Sequence, residues 1–133
     1  MDGEQVIATG DTRMPLRERL RAALPAAIKA RDRVSVSALR SALAAIDNAE
    51  AVGASRPSPA DGEAAIAHSL VGLGAGDVAR RALSEAQIAD LVRAEIVERR
   101  AAVRAYAQRG QRERAADLGG EADVLAAHLD GRA

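Results

Sequence analysis

The sequence contains no cysteine, no phenylalanine and no tryptophan, and Tyr106 is its only aromatic residue. Each absence excludes something. Without cysteine there are no disulfides, no thiolate zinc sites and no cysteine nucleophile, a composition that suits a reducing compartment. Without large aromatics nothing brings ~150–250 Å² of ring surface to a core. Sandwiches and doubly wound sheets, which draw on β-branched and aromatic residues, are thereby disfavoured. Lysine is nearly missing as well, with Lys29 alone among eighteen arginines. No apolar run approaches the ~20 residues of a membrane span, and Met1–Asp11 lacks the layout of a signal peptide. The expected location is cytoplasmic, with no membrane partner. Nineteen basic and nineteen acidic residues cancel to zero net charge. Any contact with a polyanion must therefore come from a local patch.

What the chain has in abundance is alanine, thirty-three of 133 residues. Alanine is the best helix former, and this length suits one domain. The expected fold is all-α: a small bundle of about four helices, with one long helix and a C-terminal helical hairpin. Its core must be built from Leu, Ile, Val and Ala in thin, closely packed stripes.

Periodicity places the elements. Residues 1–13 carry Gly3 and Gly10 and no apolar period, and read as a flexible tail before a helical domain at 14–130. Leu16, Leu20, Leu24 and Ile28 then recur every four residues on one helix face. Pro15 suits the first turn, whereas Pro25 is expected to bend or split this helix. Asp32 is a candidate N-cap for a second helix from Arg33 to Ala51, with Val36, Leu39, Leu43 and Ile46 as its buried stripe. Residues 52–63, rich in Gly, Ser, Pro and Asp, read as a mobile loop. Residues 64–82 carry Ile66 and Leu70 and then read as extended or irregular.

The strongest element begins at Ser84, which forms a capping-box pair with Gln87. Ile88, Val92, Ile96, Val103 and Tyr106 share one face, and Gly110 supplies a left-handed stop after Arg109. A fourth helix over 111–129 carries Leu118, Ala122, Leu125 and Leu129. Gly119 and Gly120 lie inside it, cost it ~2 kcal/mol relative to alanine, and are expected to break or fray it.

Few residues suggest chemistry. Gly72, Gly74 and Gly76 fall short of a dinucleotide fingerprint, since Asp77 stands where the third glycine belongs. His68 and His128 are too few for a triad or a histidine-based metal site. No catalytic residue, metal site or cofactor emerges. Glu95 and Arg99 are spaced i, i+4 on the apolar face of the third helix, either as a structural ion pair or as a ligand-recognising one. Glu50 ends the second helix on its apolar side, where it could face an arginine such as Arg99 or Arg40. Seven arginines lie between Arg93 and Arg114 beside only three acids, and Arg93, Arg100 and Arg104 share a face that could meet phosphates.

Four segments together resemble the GatB/YqeY family. LRSALAAIDNAEA (39–51) is similar to its second helix, with Arg40, Asn48 and Glu50 at matching positions. VGLGAGDVARRALSEAQI (71–88) looks like the approach to its long helix. AEIVERRAAVRAY (94–106) carries the E-x-x-x-R pattern on Glu95 and Arg99. RGQRERAADLGGEADVLAAHL (109–129) resembles its closing hairpin, with Glu121, Leu125 and Leu129 matching. The resemblance covers about 16–129. It implies an all-helical N-terminal domain related to the tail of the B subunit of aspartyl/glutamyl-tRNA amidotransferase, a carbon–nitrogen ligase in which the tail helps hold tRNA. Two departures stand out. Family members continue through a Y-L-P hinge into a second domain, where this sequence reads Leu129-Asp130-Gly131, so the second domain is expected to be absent. Gly119-Gly120 replaces a charged helical pair.

The resulting expectation is a helical domain without an active site of its own, which binds tRNA or tRNA amidotransferase subunits. The alternative is a protein–protein adaptor or homo-oligomer that packs through Ala-rich helix faces.

Overall fold

A computed structural model describes residues 14–55 and 82–132. Four helices account for nearly all of them: α1 (Leu16–Lys29), α2 (Arg33–Ser55), α3 (Glu85–Gln108) and α4 (Arg112–Leu129). Among the described residues there is no strand. The fold is the small all-α bundle that the alanine content implies.

The helices run alternately up and down. Arg17 near the start of α1 reaches Glu50 near the end of α2. Glu85 at the start of α3 meets the first residue of α1, and His128 at the end of α4 meets Arg19. One end of the bundle therefore collects two helix starts and two helix ends, and the opposite end holds the α1–α2 and α3–α4 turns.

The core is the expected thin stripe. Leu16, Leu20, Ala38, Leu39, Ala42, Ile46, Ile88, Val92 and Leu125 form one buried cluster. Alanine takes part directly, because Ala38, Ala42 and Ala122 have almost no exposed surface. Small side chains at these positions let helix axes approach closely and compensate for the missing aromatics. The core lies against the first half of α3. Farther along, Ile96, Val103 and Tyr106 are only half-buried. Tyr106, on the same face as Ile88 and Val92, lies at the margin of the core, with the Arg114 guanidinium 5.8 Å from its ring centroid.

Several expectations need correcting. Pro25 does not split α1, which runs unbroken from Leu16 to Lys29. The proline removes one N–H, but Pro25 and Arg21, whose carbonyl loses a partner, are both exposed, so water can take its place. Helix α2 continues to Ser55 rather than ending at Ala51, so 52–55 are helical and not loop. Val36, expected in the buried stripe of α2, is only half-buried, and Ile28, which shares the face of Leu16 and Leu20, is 46% exposed. Helix α4 passes through Gly119 and Gly120 without a break. A Cβ at Gly120 would stand 3.0 Å from Val34 Cγ1, so that glycine permits a close approach of α4 to α2. The expectations for 1–13, for 56–63 and for most of 64–82, including His68 and the Gly72–Asp77 turn, lie outside the described residues.

The expected caps are present. Asp32 accepts hydrogen bonds from the Ser35 N–H at 3.1 Å and the Ser35 hydroxyl at 2.6 Å. These bonds hold its carboxyl below its ordinary pKa. Ser84 and Gln87 form the reciprocal capping box that starts α3.

Candidate functional site

The charged residues singled out in the sequence fall into three places. Arg99 is the most enclosed. Its Nη1 donates to Glu95 Oε1 at 2.7 Å and to the Glu95 carbonyl at 3.2 Å, while its Nε donates to Glu121 Oε1 at 2.9 Å. The side chains of Arg99 and Glu121 are each only 10% exposed. Burial works against the guanidinium charge, but the hydrogen bonds to Glu95 and then Glu121 outweigh it and raise its pKa above the ordinary value. The i, i+4 pair visible in the sequence is thus one half of a three-residue bridge that clamps α3 to α4.

Glu50 belongs to a second cluster. It is buried, and faces Arg17 at 2.5 Å rather than Arg99 or Arg40. Its Oε2 also accepts the Leu83 N–H at 3.1 Å, so one carboxylate ties α2 to the chain entering α3. Nearby, Glu85 Oε2 accepts the Leu16 N–H at 2.7 Å, which caps the start of α1 with a side chain 69 residues away. The Arg19 guanidinium donates to the His128 carbonyl at 3.1 Å. His128 is held below its ordinary pKa by burial and then by the neighbouring Arg19 charge. These contacts use the local charge to join helix ends.

The arginines suggested for phosphate contact divide. Arg93 pairs with Asp90 at 2.8 Å and Arg100 with Asp123 at 3.3 Å, both as exposed bridges. Arg104 has no carboxylate partner among the described residues, and neither do Arg109 and Arg112 around the α3–α4 turn. Exposed bridges are individually weak, of the order of 0–1 kcal/mol, so Arg93 and Arg100 can exchange their carboxylates for phosphate. Asn48 and Arg40 are both exposed on α2.

One feature was not visible in the sequence. Ile28, Arg31, Arg33, Val36, Ser37, Arg40 and Ser41 line a groove of about 670 Å³ between the end of α1 and the first half of α2. Arg33 also pairs with Asp117 of α4 at 3.1 Å, and this contact raises its pKa. The only available signal was the short link between α1 and α2, which requires a tight turn at Arg31.

Among the described residues no group of His, Asp and Glu is placed to hold a metal ion, and no helix is long and apolar enough to cross a membrane. No family model matches the chain, and neither a curated protein nor a solved structure matches it.

Proposed function

We propose that this chain is a helical binding module of the GatB/YqeY type that holds RNA, assisting tRNA-dependent amidotransfer by contacting tRNA or the amidotransferase that carries it, without a reaction of its own. One observation supports the reading. Although the net charge is zero, Arg31, Arg40, Arg104, Arg109 and Arg112 stand without a carboxylate partner among the described residues. A neutral chain can bind a polyanion when its positive charge is locally uncompensated. Arg104, Arg109 and Arg112 would contact phosphate, with Arg93 and Arg100 joining by releasing Asp90 and Asp123. The Glu95–Arg99–Glu121 bridge would hold the α3–α4 hairpin that presents them.

The test is a salt titration of bulk tRNA against the full chain. Binding that weakens steeply with salt, and is weakened about tenfold by combining Arg104→Ala with Arg112→Ala, supports the reading. No binding at low salt overturns the claim that the chain holds RNA.

A specific observation also favours the adaptor or homo-oligomer reading. Ala94, Val97, Ala101 and Ala105 form an exposed strip along α3, and Val97 is 67% exposed. Small apolar residues at this spacing suit close helix–helix contact. Under this reading, light scattering finds a dimer that Val97→Glu returns to monomer. A monomer at every concentration removes the homo-oligomer form.

A further inference from the structure

Three helices of the bundle end in the same turn. In each, the second residue after the helix donates its N–H three residues back, and the third donates five residues back. The pairs are Arg31 to Ile28 and Asp32 to Ala27, Gly110 to Ala107 and Gln111 to Tyr106, and Gly131 to His128 and Arg132 to Ala127. This Schellman turn requires a left-handed residue at its pivot, which is why glycine is usual there. Helices α3 and α4 comply, with Gly110 at φ 77° and Gly131 at φ 73°. Helix α1 does not. Its pivot is Arg31, at φ 58°, the one non-glycine residue with positive φ among the described residues. A side chain with a Cβ is strained in that conformation. Such strain points to a use for the side chain.

Arg31 lines the groove of about 670 Å³ between α1 and α2. Arg33 and Arg40 line it too, with the hydroxyl-bearing Ser37 and Ser41. Guanidinium groups offer forked donors that match phosphate oxygens, and hydroxyls add further donors. The groove also contains Ile28 and Val36. Ile28 lies in register with the core stripe of α1 yet is 46% exposed, so it presents an apolar surface beside the cationic one. The groove is open to solvent along the helices, which suits an extended chain of repeated negative charge better than an enclosed small molecule.

We propose that this groove holds a phosphodiester segment of RNA, with Arg31 and Arg40 on the phosphates, Arg33 joining them by releasing Asp117 from an exposed bridge, Ser37 and Ser41 on phosphate or ribose oxygens, and Ile28 and Val36 against the sugar or base. The choice of RNA rests on the function proposed above, whereas the groove and the strained arginine are independent of it.

The experiment measures binding of labelled bulk tRNA to the full chain across a salt series, together with thermal melting. Wild type is compared with Arg31→Gly, Arg40→Ala and a control, Arg21→Ala, whose side chain pairs with Glu18 on an exposed face of α1. Arg31→Gly and Arg40→Ala are expected to weaken binding about three- to tenfold each and to lower the salt slope by about one. Arg21→Ala should stay within about twofold. Arg31→Gly should also raise the melting temperature by a few degrees, since glycine relieves the turn, and this separates lost binding from lost fold. Wild-type binding that Arg31→Gly and Arg40→Ala leave unchanged overturns the groove and spares the RNA reading. Arg31→Gly melting below wild type overturns the strain argument. A wild type that retains poly-glutamate but no tRNA overturns RNA as the occupant in favour of an acidic peptide.

Discussion

The two ends of the bundle use the same residue type for opposite purposes. Where α1 and α3 begin and α2 and α4 end, Arg17 faces Glu50 and Arg19 holds the His128 carbonyl. Glu50 and Glu85 meanwhile accept backbone N–H groups from Leu83 and Leu16. At the turn end, Arg31, Arg40, Arg109 and Arg112 have no carboxylate partner among the described residues. One end spends its charge on holding helices together, and the other, apart from the exposed Arg33–Asp117 bridge, leaves its arginines facing water. Zero net charge conceals this division, because a sum over the chain does not record which charges have neighbours. Arginine is informative here only together with the acids within its reach.

The largest expected effect lies at the Arg99 bridge between the two ends. Arg99→Ala leaves Glu95 and Glu121 without their cation in a mostly buried setting. Breaking such a pair costs about 3–5 kcal/mol, as a urea titration would read it. Arg112→Ala at the turn end should move the same midpoint by less than about 0.5 kcal/mol. Similar losses for the two variants would erase the distinction between structural and surface arginines. Next in size is Glu50→Gln. It keeps an oxygen for the Leu83 N–H but withdraws the charge opposite Arg17, an expected loss of about 1–3 kcal/mol. A neutral outcome would show that the Arg17–Glu50 charge pair adds nothing to what holds this end.

How far the sequence anticipated this division differs from residue to residue. The four helices were legible because their signals are local: Asp32 before Ser35, Ser84 before Gln87, Gly110 after a long apolar period. The Glu95–Arg99 pair was legible for the same reason, since four residues make one helical turn. Its other partner, Glu121, was not, because only the packing of α4 on α3 brings it within 2.9 Å. An arginine partner for Glu50 was legible from its place on the apolar side of α2, but that the partner is Arg17 was not, since only the antiparallel packing of α1 on α2 brings the start of one to the end of the other. The exposure of Ile28 was not legible, because a period states which residues share a face and not how far along that face the neighbours extend. Arg31 shows no pattern at all, because its significance lies in a backbone angle.

The paired glycines of α4 provide a smaller test, where α4 approaches α2. A methyl at Gly119 would meet Val103 Cγ2 at 3.8 Å, an ordinary contact, whereas one at Gly120 would meet Val34 Cγ1 at 3.0 Å. Gly119→Ala is therefore expected to stabilise by about 0.8–1 kcal/mol through helix propensity alone. Gly120→Ala makes the same local gain but forces a β-branched neighbour aside, an overpacking cost of about 1–3 kcal/mol. Thermal melts should place Gly119→Ala above wild type and Gly120→Ala at or below it. Equal gains would mean that the α2–α4 contact yields easily, and that Gly120 is no requirement of the fold.

The smallest effect concerns pH and belongs to the end where helix termini are joined. Burial and the Arg19 charge both disfavour the imidazolium form of His128, so its folded-state pKa lies below the ordinary value of 6.5. Below that value the unfolded chain takes up a proton more readily than the folded one, which tilts the equilibrium toward unfolding. The contribution from neutral His128 is thus complete above about pH 6.5. It declines as pH falls through the window down to the folded-state pKa. Melting temperatures of wild type and His128→Gln, measured from pH 8 to pH 5, should run parallel at the alkaline end. They should separate below about pH 6.5, with wild type falling more steeply. Subtracting the two curves removes His68, which both proteins share. Curves that stay parallel throughout would mean that His128 can take up its proton at no cost to folding, and that this end of the bundle opens to water more readily than its paired charges imply.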